Sequence, residues 1–133
     1  MKTILTFIII LIVTSFGFGQ GKQKKIHLKS NPELMRQELL KLIPIGHDIQ
    51  EAKRLMEANK FYCEMVKDRN FTTGTEDKPN KEHNNLNFLS CERKRNTLNP
   101  KRLLYLHWWR VAFVQKEDVI TDTLVYVGWF SDL

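Results

Sequence analysis

Cysteine is scarce in this chain, with only Cys63 and Cys91 among 133 residues. They form no CxxC, so a thioredoxin-like dithiol has no footing. Histidine is equally thin: His27, His47, His83 and His107 make no i, i+3 or i+4 pair and no HExxH, which removes the helical zinc patterns. G-x-S-x-G is absent, and so is a glycine-rich phosphate loop. No catalytic residue, metal ligand or cofactor site is therefore assigned from sequence. Internal repeats and a second domain are also missing, and 42% hydrophobic residues in a chain of this length suit one domain with one modest core.

Long apolar runs are confined to one place. Met1-Lys2-Thr3 is a short positive segment, and Ile4 to Val13 (ILTFIIILIV) is apolar throughout. That is the length of a signal-peptide core, not of a membrane span of about 20 residues. Gly17-Phe18-Gly19 supplies small residues for cleavage after Gly19. Residues 1–19 read as a signal peptide, with Gln20 the mature N-terminus. An uncleaved anchor extended through Phe18 is the competing reading. Lipid attachment would need a cysteine beside the cleavage site, and none stands there. The expected location is secreted or periplasmic, with no transmembrane anchor after cleavage.

Export changes the meaning of the two cysteines, because an oxidising compartment favours a Cys63–Cys91 disulfide over two buried thiols. Charge is the next bound. The 21 basic and 15 acidic residues leave a net charge of +6. The excess is concentrated in residues 21–41 and in Arg93-Lys94-Arg95 with Lys101-Arg102, while the end of the chain is more acidic through Glu117, Asp118, Asp122 and Asp132. A balance this modest reads first as a solvated surface, and no nucleic-acid partner is expected.

Residues 20–30 have no periodicity and read as a basic flexible arm before a single domain over 31–133. Asn31-Pro32-Glu33 is a helix start, followed by Met35, Leu39 and Leu42 on one face. Pro44 limits that helix. Asp48 with Glu51 resembles a capping box before the stripe Ile49, Ala52, Leu55, Met56, with Asn59 as the stop. From Phe61 the period becomes two. Phe61–Lys67 and Leu86–Glu92 are expected strands, separated by a long polar loop over Asp68–Asn85. Leu103–Gln115 and Val119–Phe130 are longer strands joined by a three-residue loop, Lys116-Glu117-Asp118. The fold class expected is α+β: two N-terminal helices packed on an antiparallel sheet of about four strands, a two-layer sandwich.

Tyr105–Phe113 (YLHWWRVAF) puts Tyr105, His107, Trp109, Val111 and Phe113 on one sheet face. Leu104, Leu106, Trp108, Arg110, Ala112 and Val114 take the other. Both faces are largely apolar, unlike a sheet with one wet side. With the three-residue loop, Arg110 and Asp122 become diagonal neighbours on the second face, beside Trp108, Leu124 and Tyr126. The favoured reading is that the arm and first helix cover this face; the alternative makes it a contact surface anchored by Trp108, Arg110, Tyr126 and Trp129.

Ile43-Pro44-Ile45-Gly46, then Asp48-Ile49-Gln50-Glu51-Ala52-Lys53-Arg54-Leu55-Met56-Glu57, then Phe61-Tyr62-Cys63 and Trp109–Val114 resemble small exported bacterial proteins. These are similar in layout to the outer-membrane-assembly lipoprotein and beta-lactamase inhibitor protein families. The resemblance spans residues 43–128 and implies helices on an antiparallel sheet and action by binding other proteins. This chain lacks the lipid-bearing cysteine and the Gly-x-Pro of the first family, and no functional residue carries over.

The reading reached is an exported, protein-binding or envelope-associated domain whose partner is another envelope or secreted protein. The alternative is a small secreted hydrolase such as a ribonuclease, with Glu64 or Glu92 as base, His107 as acid and Arg110 on phosphate. His107 and Arg110 are three apart on one strand and face opposite ways, which counts against it.

Overall fold

The computed structural model describes residues 24–99 and 102–131. The expected signal peptide, residues 1–19, and the start of the arm lie outside them. From Lys24 the arm is docked: Ile26 is buried, and its N–H donates to Asn59 Oδ1 at 2.9 Å.

Helix α1, Pro32–Leu42, starts where Asn31 Oδ1 accepts the N–H groups of Glu33 and Leu34. Helix α2, Ile49–Ala58, starts in the same way from Asp48, which accepts from Gln50 and Glu51, and it stops at Asn59. In each case the side-chain oxygen satisfies backbone donors that the first turn leaves over. Met35 and Leu39 of α1 and Ile49, Ala52 and Met56 of α2 are buried, as their spacing predicts. The linker between the helices lies along the start of the last strand, where Gly46 donates to Ile120 O and Ile120 to His47 O. It thereby covers a sheet edge.

Four long strands follow: β1 Tyr62–Thr75, β2 Pro79–Asn99, β3 Arg102–Lys116 and β4 Val119–Ser131. Consecutive strands pair antiparallel, and the sheet closes on itself where Gly74 and Thr75 of β1 pair, in parallel, with Tyr126 and Val127 of β4. The two-layer sandwich is thus corrected. Among the described residues the molecule is mostly sheet, curled into a closed four-stranded barrel, and its two short helices lie between residues 32 and 58.

The cause is the segment expected to be a loop. Asp68–Asn85 is not one: β1 and β2 pair through most of it, and only residues 76–78 turn. Its polar residues serve the bends instead. The register slips between Val66 and Arg69 and again between Arg69 and Phe71, with Asp68 and Asn85 in left-handed conformations. Asn and Asp tolerate that region better than other side chains, and bulges of this sort sharpen strand curvature. The displaced backbone is satisfied locally, Asp68 N–H by Asn87 Oδ1 and Asn85 N–H by Asn70 Oδ1. At the closure Gly74 has φ 107°, and a Cβ there would come within 2.7 Å of Asn80 N, so only glycine fits.

Two cores result. On the helix side Met35, Leu39, Ile49 and Met56 pack on Leu89, Trp109, Val111, Phe113, Val125 and Val127. On the other side Val66, Phe71, Phe88, Ala112 and Leu124 form a smaller cluster, with Leu86, Val114 and Tyr126 against it. The second face is therefore covered in part by the curled β1–β2 hairpin. The arm and first helix lie on the helix side, with Ile26 and Met35 in that core, which corrects the coverage expected from sequence.

Cys63 and Cys91 are directly paired across β1 and β2 and joined in a disulfide. The β3–β4 hairpin turns on two residues rather than three. Lys116 pairs with Val119, and Glu117 and Asp118 both take positive φ, the twist of a type I′ turn.

Candidate functional site

The two-residue turn and a register slip between Val114 and Gln115 decide which side chains meet on the second face. Arg110 stands opposite Tyr126, and Asp122 opposite Val114, so the expected Arg110–Asp122 proximity is corrected. Asp122 instead meets Arg36 of α1, 3.5 Å from Nη2, while Arg36 Nε donates to Thr123 O.

Three of the four residues proposed from sequence do come together. Pairing aligns Glu92, Arg110 and Tyr126 across β2, β3 and β4, and Lys94, Trp108 and Gly128 one step along the same face. Trp108 is half-buried; its indole N–H donates to Glu92 Oε2 at 3.2 Å, and its ring meets Tyr126 edge-on at 6.4 Å. The Arg110 guanidinium carbon sits 5.0 Å from the Trp108 centroid and 5.6 Å from that of Phe71, and Lys94 Nζ is 5.4 Å from the Trp108 ring. Each such contact is worth about 0.5–1 kcal/mol at an exposed site. Glycine at 128 makes room here, since a Cβ would approach Tyr126 Cε1 to 3.2 Å and Trp108 Cε3 to 3.8 Å.

Burial raises the Tyr126 pKa. Glu76 and Asp77 at the hairpin tip push the same way, and Arg110 opposes them.

Trp129 does not join this group. It stands opposite His107 in the β3–β4 pairing and one residue out of phase with Tyr126 and Gly128, hence on the helix-side face. His107 lies on that face too, its ring 5.5 Å from Trp109. The residues proposed for ribonuclease chemistry are accordingly divided. Glu92 and Arg110 face each other on one side, His107 is on the other, and Glu64 lies on β1 opposite Ser90.

Sequence reasoning missed Phe71 and Lys94 as members of the group. Phe71 fell within the supposed loop. Lys94 was seen only as part of a basic run, and its parity becomes informative once the β2–β3 register is known.

Among the described residues no three of His, Cys, Asp and Glu are grouped to hold a metal ion, and no helix is long and apolar enough to cross a membrane. Comparison with protein-family models, curated proteins and solved structures finds no match to this chain.

Proposed function

We propose that this chain is an exported domain that binds another envelope or secreted protein through the Trp108–Arg110–Tyr126 face. The supporting observation is the cluster in which Arg110 sits over the half-exposed Trp108 ring and the buried Phe71 ring, with Lys94 also over Trp108. Tryptophan, tyrosine and arginine are the side chains that most often dominate binding energy at protein interfaces. Here the cations are held by rings on one side, leaving N–H donors for a partner's acceptors. The Cys63–Cys91 disulfide supports an oxidising compartment. Export itself rests on the leader-like residues 1–19.

The test is affinity capture from the native envelope or culture medium with the oxidised wild-type chain, Arg110→Ala and Trp108→Ala, each checked for folding by thermal melting. A protein retained by the wild type and lost on both folded variants supports the reading. Equal capture by all three sinks it, as does unfolding of Trp108→Ala in isolation combined with unchanged capture by Arg110→Ala, which would make Trp108 a core residue.

A further inference from the structure

Strand β2 outruns its partner. Its pairing with β1 begins at Glu92, opposite Tyr62, whereas its pairing with β3 continues to Asn99. From Arg93 onward β2 is therefore paired on one side only among the described residues. Every second residue of such a strand turns its N–H and C=O away from its neighbour, which leaves a template for another chain.

Beside the start of this edge lies a groove of about 390 Å³. Lys24 and Lys25 of the arm, Lys60 and Arg93 line it, with Ile26 and Ala58 as its apolar part. Four cations and no carboxylate share the lining, and none of the four is ion-paired among the described residues. Asn59 fixes the geometry. Its Nδ2 donates to Lys24 O at 3.0 Å, its Oδ1 accepts from Ile26, and its main-chain carbonyl accepts from Arg93 Nη1 at 3.1 Å. The groove and the edge are thus held together by one residue at the end of α2.

We propose that the open β2 edge from Arg93, with its cationic groove, captures an extended acidic segment of a partner protein by adding it to the sheet as a further strand. This rests on the protein-binding reading above and names the chemistry of the partner. Charge complementarity selects the occupant. A second copy of this chain pairing β2 against β2 would bring Arg93-Lys94-Arg95 against itself, and like charges facing each other are unfavourable. A nucleic acid would satisfy the cations but has no peptide groups to pair with the edge. An acidic strand satisfies both: alternate side chains reach the groove, and those between them lie beside Lys94 and Trp108.

A fluorescent peptide of about ten residues alternating Glu and Val, long enough for the open edge, is titrated with the oxidised full chain. Two controls are the same peptide N-methylated at alternate residues and a Lys-Val analogue. The protein variant is Lys24→Glu/Lys25→Glu/Lys60→Glu, whose three lysines are all exposed, and its fold is checked by melting. The expected result is binding that weakens at least about tenfold with N-methylation and with the charge-reversed chain. The proposal is overturned if no binding occurs, if N-methylation or charge reversal has no effect, or if oligothymidylate displaces the peptide as well as excess peptide does. A captured native partner separates this inference from the reading beneath it. Retention by the triple variant together with loss on Arg110→Ala overturns strand addition and leaves protein binding at the aromatic face standing.

Discussion

Trp109 donates its indole N–H to the main-chain carbonyl of Lys29 at 2.9 Å, tying the basic arm to the middle of β3. Its ring is buried with Ile26, and it is the tryptophan of the adjacent pair that enters the helix-side core. Replacing Trp109 with Phe keeps an aromatic ring but leaves the Lys29 carbonyl without this donor. Stability should fall by about 1–2 kcal/mol beyond any loss of volume. Urea denaturation of the Trp109→Phe chain measures this, and an unchanged midpoint would show that water replaces the bond at no cost.

The disulfide gives the second prediction. Cys63 and Cys91 are separated by 28 residues, and the chain-entropy estimate for closing such a loop is about 3–4 kcal/mol. The double variant Cys63→Ala/Cys91→Ala should lose that much, and wild type should lose a similar amount on reduction with dithiothreitol. A loss below about 1 kcal/mol would mean that the β1–β2 hairpin already restricts the unfolded chain.

Both helices were legible in the sequence because their caps are local. Asn31 and Asp48 announce themselves within three residues of the donors they satisfy. Strands β3 and β4 were legible from alternation and length. What escaped was the meaning of Asp68–Asn85, where Asn, Thr and Lys read as a loop on composition but act as bulge residues in a paired ribbon. That error removed Phe71 from view, opened the sheet and left the second face without its cover. The site was legible by half. Parity puts Trp108, Arg110 and Tyr126 on one face and Trp129 on the other, whereas the place of Asp122 depends on the two-residue Glu117-Asp118 turn and the slip beyond Val114, which alternation alone does not reveal.

Thr123 gives the third prediction. It is the one fully buried polar residue of the described core, and its hydroxyl has no hydrogen-bond partner there. Its main chain does the visible work, since Thr123 O accepts from Arg36 and Thr123 N–H donates to Asp122 Oδ1. Valine has the same branched shape without the desolvated hydroxyl. Thr123→Val should therefore raise stability by about 1 kcal/mol, seen as a higher urea midpoint at unchanged slope. A lower midpoint would indicate that the hydroxyl is satisfied in solution.

Tyr126 links stability to pH through the aromatic face. Burial raises its pKa above the ordinary 10.0, Glu76 and Asp77 add to the rise, and Arg110 partly offsets it. Below that ordinary value both folded and unfolded chains keep the phenolic proton, so the group contributes no pH dependence. As pH climbs past it, the unfolded chain releases the proton while the folded chain holds it, and the folded state loses stability until its own raised pKa is passed. Wild type should therefore lose stability above pH 10 relative to Tyr126→Phe, with the two parallel below. Phenolate absorbance of the folded chain, with Tyr126→Phe as the blank, should locate the ionisation of this residue. Glu76→Gln should move it down and Arg110→Met up. Phenolate formation by Tyr126 below pH 10, or a shift of opposite sign in either variant, would show that the ring is better solvated, and less influenced by Glu76 and Arg110, than this packing implies.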